Sequence, residues 1–564
     1  MTFLDLIKIQ GDAARSVKVT QWISPDIAPL PPARRTWGAS TYLGFWGVAI
    51  LSVINWQAAA SLLGLGFGVG EAIGVTIVAR VISCILCIAQ GWIGGDWHIG
   101  YTIMQRITLG MNGAFIAVVM RIIIAVVAYA VQAWLGGLAM SALLSSLSHS
   151  FATTDSKINT YLGTRDFIGF VIFQIICVPM MLVPPHKARR PAIIGAGLSF
   201  LTMMSICIWA TIRGGTGPLL HSGGNFTIMS RGWAWMYGVS SGVGSITSGI
   251  LNQADFTRFA KRQGVQVPGT AIALIIWGAI VPVFSILTAS ATVTIYGGEP
   301  IWNPLTLVQL WLSTSYTAGS RAAAFFASLA FVFAQLTENI YGNGYAAGID
   351  LSALLPRYIN IRRGCIICAA LSFTVQPWLI LNSSSTFLAT ISAFTVFLLP
   401  LIGISVVDYF FIRKRRVELS QLYTGSVNGS YWFTAGFNWR AIVVWSVCFA
   451  PAIPGLASSI NPNIHVGDGL QKYYRGNYVW GLVASLVLYF LVTRSFPPRR
   501  VGVQDENDIY GTFGETEAVK KGILPFRIQN GSDEVPLNSL ELQRTLVEKE
   551  YASAVEKSKP PVEP

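Results

Sequence analysis

Residues 334–344 read AQLTENIYGNG and interrupt an apolar run from Ala322 to Ala347. Gln335, Asn339 and Asn343 recur at i, i+4 and i+8, so a helix would place them in one row. Amides supply both donors and acceptors, and a row of them suits a planar ligand rich in similar groups. The plainer reading is interhelical glue, because Asn and Gln often bridge transmembrane helices. Glu338 runs beside the row. A carboxylate in mid-membrane costs roughly 3 kcal/mol or more, so such residues mark cavities and ion or proton paths. Desolvation favours the neutral form, which lets the group carry a proton. The competing reading is a static ion pair with Arg80 or Arg121, the other deep ionisable residues. Gln132, in AYAVQAWLGG (128–137), and Asn55, Trp56 and Gln57, in INWQAAA (54–60), add amides and an indole at similar depth. Polar groups converging from separate spans are what a small polar ligand needs.

The elements that must position these residues are long apolar helices. The chain has 564 residues, 53% of them hydrophobic and only 12% charged, with a mean hydropathy of +0.55. A soluble domain carries about 25% charged residues. A helix crosses a bilayer with about 20 apolar residues, and about twelve such blocks run from Tyr42 to Val492. They fall near 42–65, 72–93, 111–137, 166–183, 191–212, 234–256, 270–292, 321–349, 364–382, 385–411, 440–459 and 476–494. A β-barrel would show alternating segments of about 10 residues instead. Glycine-rich pieces in the first, sixth and eighth blocks (GLGFGVG, SSGVGSITSG, YGNGYAAG) predict interrupted helices, a pointer to a midplane site.

The net charge of +13 follows the positive-inside rule rather than a nucleic-acid surface. Arg106, Lys187, Arg258, Lys261, Arg362 and the RKRR run (413–416) fall in one alternating set of loops. That set and both termini are therefore placed in the cytoplasm, and the chain in the plasma membrane. The sequons at Asn225 and Asn382 fall on the other side. The CxxC pairs Cys84/Cys87 and Cys365/Cys368 sit inside apolar helices and read as buried small hydrophobes rather than zinc ligands. The stretch 94–110 reads as amphipathic and cytoplasmic, with His98 structural. The polar tail after Phe496 reads as disordered, a place for trafficking or ubiquitination machinery. No nucleophile triad, metal cluster or phosphate-cradling loop is present, which leaves no cofactor and argues against an enzyme.

These segments resemble the fungal members of nucleobase–cation symporter family 1, the uracil, allantoin, uridine, thiamine and nicotinamide riboside permeases. The resemblance runs from about Trp22 to Arg500. It rests on ordered matches that include RRTWG (34–38), NWQAAA (55–60), HIGYTIMQRITLG (98–110), QAWLGG (132–137), LNQADFTRFAK (251–261), YGGEPIWNPL (296–305), AQLTENIYGNG (334–344) and VVDYFFIRKR (406–415). It implies an all-α polytopic LeuT-like fold with two inverted five-helix repeats (41–212 and 213–411) and two further helices (412–495). Cytoplasmic tails (1–40 and 496–564) flank them. It also implies a substrate held between the repeats by the first, third, sixth and eighth helices, with alternating access.

By motif position, Gln132 and Asn343 match the family's substrate amides, with Asn339, Gln57 and Trp56 alongside. Ala334, Thr337 and Glu338 match the cation positions of sodium-coupled relatives. The carboxylate at 338, and the proton coupling of fungal members, imply H+ in preference to Na+. Ala128 and Ile246 stand where base-carrying members place aromatic rings, and Tyr129, Trp235 and Tyr237 are the rings that could replace them. The leading expectation is proton-coupled import of a nucleobase, nucleoside or related heterocycle. A thiamine or nicotinamide riboside transporter is the alternative, and a non-transporting nutrient receptor the third reading.

Overall fold

The computed structural model describes residues 8–9, 19–154, 156–183, 189–222, 224–461 and 463–526. The basic loop 184–188, with Lys187, lies outside them. Among the described residues, eight helices are long and apolar enough to cross a membrane, or nine if one bent pair is a single span. The remaining predicted spans are helices that are shorter or less apolar, so all twelve blocks are helical.

The first span is two helices, α1 (Ala39–Ile50) and α2 (Val53–Ala60), bent by 56°. The break falls at Leu51–Ser52, upstream of the glycine-rich piece that sequence singles out. In a membrane, backbone groups freed by a break must find partners. Asn55 supplies them: its amide donates to Ala49 O at 2.7 Å and Ser52 Oγ at 3.0 Å. Arg80 of α3 (Val69–Trp97) in turn donates to Asn55 Oδ1 at 2.6 Å.

α4 (Tyr101–Leu109) is short and buried along its whole length, so the stretch 94–110 is interior rather than surface-lying. α5 (Gly113–Leu147) is the long third span, and α6 (Thr164–Met180) and α7 (Arg189–Gly214) complete the first half. A small hairpin, β1 (Lys157–Asn159) with β2 (Leu162–Gly163), precedes α6.

α8 (Arg231–Leu251) is continuous through SSGVGSITSG, contrary to the interruption expected there. Its glycines serve close packing instead: a Cβ on Gly244 would lie 2.1 Å from the Ile391 carbonyl oxygen. The helix breaks only at Asn252, before the short α9 (Gln253–Thr257). α10 (Gln266–Tyr296), α11 (Pro304–Thr314) and α12 (Ala318–Leu354) follow. Within α12, residues Asn339–Gly344 form a π-helical turn rather than an unwound segment. Such wide turns are frequent at functional sites. α13 (Ile361–Ser372), α14 (Ser384–Ile412), α15 (Trp439–Ile460), α16 (Asp468–Arg475) and α17 (Asn477–Ser495) complete the bundle.

The chain after Phe496 departs from the expected disorder as far as Phe526. It includes α18 (Glu515–Lys521), whose side chains meet the C-terminal end of α3 and the chain just before α1. Arg35 and His98 meet Glu517 at 2.6 and 3.1 Å, Lys521 meets Asp96 at 2.8 Å, and Phe513 packs edge-on against Trp97. These contacts outweigh the polar composition that predicted disorder. Residues 527–564 lie outside the described residues.

Candidate functional site

The eighth-span row exists, and one end of it crosses to the third span. Gln335 donates to Gln132 Oε1 at 2.7 Å and to the Gln132 carbonyl at 3.3 Å. Both side chains are buried, and Gln335 Oε1 has no hydrogen-bond partner. A turn later, Asn343 donates to Asn339 Oδ1 at 3.1 Å, while the buried Asn339 Nδ2 has no partner. Buried amides left half-satisfied cost about 1–3 kcal/mol each, so a native fold keeps them where a ligand or water completes them.

Gln57 and Trp56 on α2 form a separate group. Both are fully buried, and neither amide atom of Gln57 nor the Trp56 indole nitrogen has a hydrogen-bond partner. No hydrogen bond joins them to Gln132 or Asn343 among the described residues. The structure thus brings Gln132, Gln335, Asn339 and Asn343 to the α5–α12 seam and leaves Gln57 and Trp56 on the first span.

Glu338 is buried at 8% exposure and makes no hydrogen bond or ion pair with a described residue. The static-pair reading required Arg80 or Arg121, and both are engaged elsewhere. Arg80 holds Asn55 and reaches Ser245 at 3.5 Å. Arg121 pairs with Asp350 near the C-terminal end of α12. The glutamate folds over the π turn instead. A Cβ on Gly342 would lie 3.0 Å from Glu338 Oε1, so the carboxyl sits directly against the π turn.

Thr337 and Ala334 are braced by α7. Thr337 Oγ1 donates to the Ala334 carbonyl at 2.8 Å, and a Cβ on Gly195 would lie 2.8 Å from that hydroxyl. One turn along α7, Ser199 donates to the Leu51 carbonyl at 2.6 Å, at the break of the first span. Gly195 and Ser199 are four residues apart and share a face. That face therefore carries the α1–α2 break and the Ala334–Thr337 turn as neighbours. Carbonyls freed at a helix break are suited to a coordinated cation or proton carrier. Ser199 and Gly195 gave no signal in sequence, being a small pair in an apolar helix.

The candidate replacement rings are committed elsewhere. Tyr129 donates to Gln174 Oε1 at 2.9 Å, because it sits one residue, about 100° of helix rotation, from Ala128. The Tyr237 hydroxyl meets that of Tyr474 at 3.5 Å, and Trp235 packs near Phe67. No ring contact or hydrogen bond joins any of the three to Asn343 among the described residues.

A second polar cluster joins α5, α8–α9 and α12. Arg121, fully buried, pairs with Asp350 and lies 5.1 Å over the Tyr101 ring. Asp255 accepts the Tyr101 backbone N–H at 2.8 Å. With its amide turned to satisfy its neighbours, Asn252 accepts from Arg121 Nη2 at 2.5 Å. The NQAD motif at 252–255 thus ties α8–α9 to α5 and α12. All seven cysteines are free and buried, and no metal-holding group of His, Cys, Asp or Glu exists among the described residues.

Comparison with known proteins places the chain in a family. Residues 29–481 match the family described as "Permease for cytosine/purines, uracil, thiamine, allantoin". The chain is 36% identical to the transporter aclS of Aspergillus oryzae, over 93% of this chain and 94% of the relative. It is 35% identical to a thiamine transporter of Saccharomyces cerevisiae, over 89% and 84%. A structure of Mhp1, a nucleobase-cation-symport-1 transporter closed around bromovinylhydantoin, matches with a TM-score of 0.65. The identity there is 21%, covering 88% of this chain and 98% of that one, so the likeness speaks for the fold. A helical membrane chain with a broken first span, a π turn in the eighth and these relatives belongs to the nucleobase–cation symporter family 1 permeases.

Proposed function

We propose that this permease imports a heterocycle by proton-coupled alternating access, with Glu338 carrying the proton. One observation supports the coupling role above the others: Glu338 is a buried carboxylate without a basic partner among the described residues, beside the Ala334–Thr337 turn. A static structural acid would be expected to have a counter-charge. A proton carrier needs to be neutral in one state and ionised in another.

For the substrate, a vitamin-type heterocycle, thiamine or nicotinamide riboside, is favoured over a nucleobase or nucleoside. Two observations support this ordering. The thiamine transporter shares 35% identity over most of both chains. Ala128 and Ile246 leave the amide row without the two rings that would sandwich a flat base. The amides Gln132, Asn339 and Asn343 then hydrogen-bond the ligand's ring edge, with Gln57 and Trp56 meeting it from the first span.

The test is uptake of labelled thiamine, nicotinamide riboside, uridine and uracil in a yeast lacking its own carriers, with surface expression verified. Concentrative uptake of a vitamin is the expected result. Uptake of uracil or uridine alone would restore the nucleobase reading. Tight binding without accumulation of any of the four would favour a receptor.

A further inference from the structure

The end of the bundle remote from both described chain ends carries a cavity of about 310 Å³. Its floor is the continuation of the first span, Ser61 to Gly66. The 225–228 segment, the loop Glu299–Trp302 and Ser384 complete the walls. The walls are fixed rather than loose. Asn225 N donates to the Gly66 carbonyl at 2.7 Å, and a Cβ on Gly64 would lie 2.9 Å from Ser384 Oγ. The loop is pinned where Ile301 N donates to Thr292 Oγ1 at 3.0 Å, and Trp302 stacks on Phe387 at 5.5 Å.

The charge here is unusual. Of the described acidic residues at this end, Glu71 pairs with Arg231, Asp166 with Arg165 and Asp468 with Lys472. Glu299 lines the cavity and has no ion pair with a described residue. Three acids neutralised and one left facing a cavity is an arrangement that attracts a cation. The Trp302 indole adds a π face, the best of the side-chain surfaces for a cation. Ser61 lies four residues beyond Gln57, about 6 Å along the helix, so the cavity stands directly above the first-span part of the candidate site.

We propose that this cavity is an entry site that collects a small heterocyclic cation, a thiazolium or pyridinium, before it descends along α2. The carboxylate of Glu299 supplies the charge and Trp302 the stacking surface. The proposal names the substrate's charge class and so rests on the vitamin reading above, but its test is separable from that reading. The pull of an exposed carboxylate is screened by salt, with a Debye length of about 10 Å at 0.1 M and about 3 Å at 1 M. The effect should therefore appear in capture at low salt and fade at high salt.

The experiment compares wild type, Glu299→Gln, Glu299→Lys and Trp302→Ala in the full chain, each verified as folded and at the cell surface. With labelled thiamine at low salt, Glu299→Gln should raise KM about 3- to 10-fold and Glu299→Lys further, with maximal rate unchanged. The gap should close at high salt, and uptake of neutral uracil, where carried, should not change. Equal thiamine KM across wild type, Glu299→Gln and Glu299→Lys would overturn the proposal while leaving the transport reading intact. If wild type carries no cationic heterocycle, equilibrium binding of thiamine to the purified protein decides. Binding weakened in Glu299→Lys and Trp302→Ala supports the entry site, and absence of wild-type binding removes it.

Discussion

Gln335 and Gln132 are joined side chain to side chain at 2.7 Å, linking the eighth span to the third inside the bundle. The bond fixes the Gln132 oxygen and leaves the Gln335 oxygen open. If the proposed site holds the ligand, Gln132→Ala removes one of its amides and strands another. Ligand binding should weaken by about 1–3 kcal/mol, roughly 5- to 150-fold. Gln335→Leu should weaken it less, because Gln132 keeps both its groups. Competition binding on the purified variants reads the difference.

Arg121 and Asp350 are a fully buried pair. Removing one partner of such a pair costs about 3–5 kcal/mol, whereas replacing both with apolar residues is often neutral. Arg121→Met should lower thermal stability sharply. The double change Arg121→Met with Asp350→Leu should recover most of it. Thermal unfolding of detergent-solubilised protein, followed by size exclusion, tests both.

Gly244 lets α14 pass against α8. A Cβ there meets a backbone carbonyl, which cannot rotate away. Gly244→Ala should cost about 1–3 kcal/mol or more through overpacking. Gly232→Ala is the control on the same helix, since nothing lies within 4 Å of its Cβ position. Surface expression and melting temperature should fall for the first and hold for the second.

The docking of α18 makes a further prediction. Burial would push the Glu517 carboxyl up, but the hydrogen bond and charge of His98, with Arg35, outweigh it and hold it down at about 2. A depressed carboxyl stabilises the docked state above its free value near 4.5 and loses that stabilisation only as pH falls toward about 2. Glu517 is thus ionised throughout the range from about pH 8 to 5. Glu517→Gln should release α18 at every pH in that window, seen as faster amide exchange across residues 515–524.

Much of this architecture was legible in sequence because apolar run length survives any local detail. All twelve apolar blocks contain helix, eight or nine of them long and apolar enough to span among the described residues, and AQLTENIYGNG lies within one of these. The sequence misplaced the breaks. Glycine alone does not break a helix in lipid, because neighbours that pack against it, as α14 does at Gly244, keep it continuous. The first span breaks at Leu51–Ser52, where Asn55 caps the freed backbone, held in turn by Arg80 from 25 residues away, and Ser199 reaches the Leu51 carbonyl from a distant helix. Side-chain direction was also beyond periodicity. Tyr129 is one residue from the expected ring position, yet it points to Gln174. The ordered segment 497–526 was hidden because its polar residues find charged partners on distant loops, at Asp96, His98 and Arg35.

The central claim is that Glu338 carries the coupling proton, and Glu338→Gln tests it most directly. The variant is reconstituted in proteoliposomes with an inward proton gradient and labelled ligand. The account predicts that accumulation above equilibrium is lost while counterflow exchange of the same ligand persists, since the amide row is intact. Accumulation equal to wild type across the same gradient would contradict it.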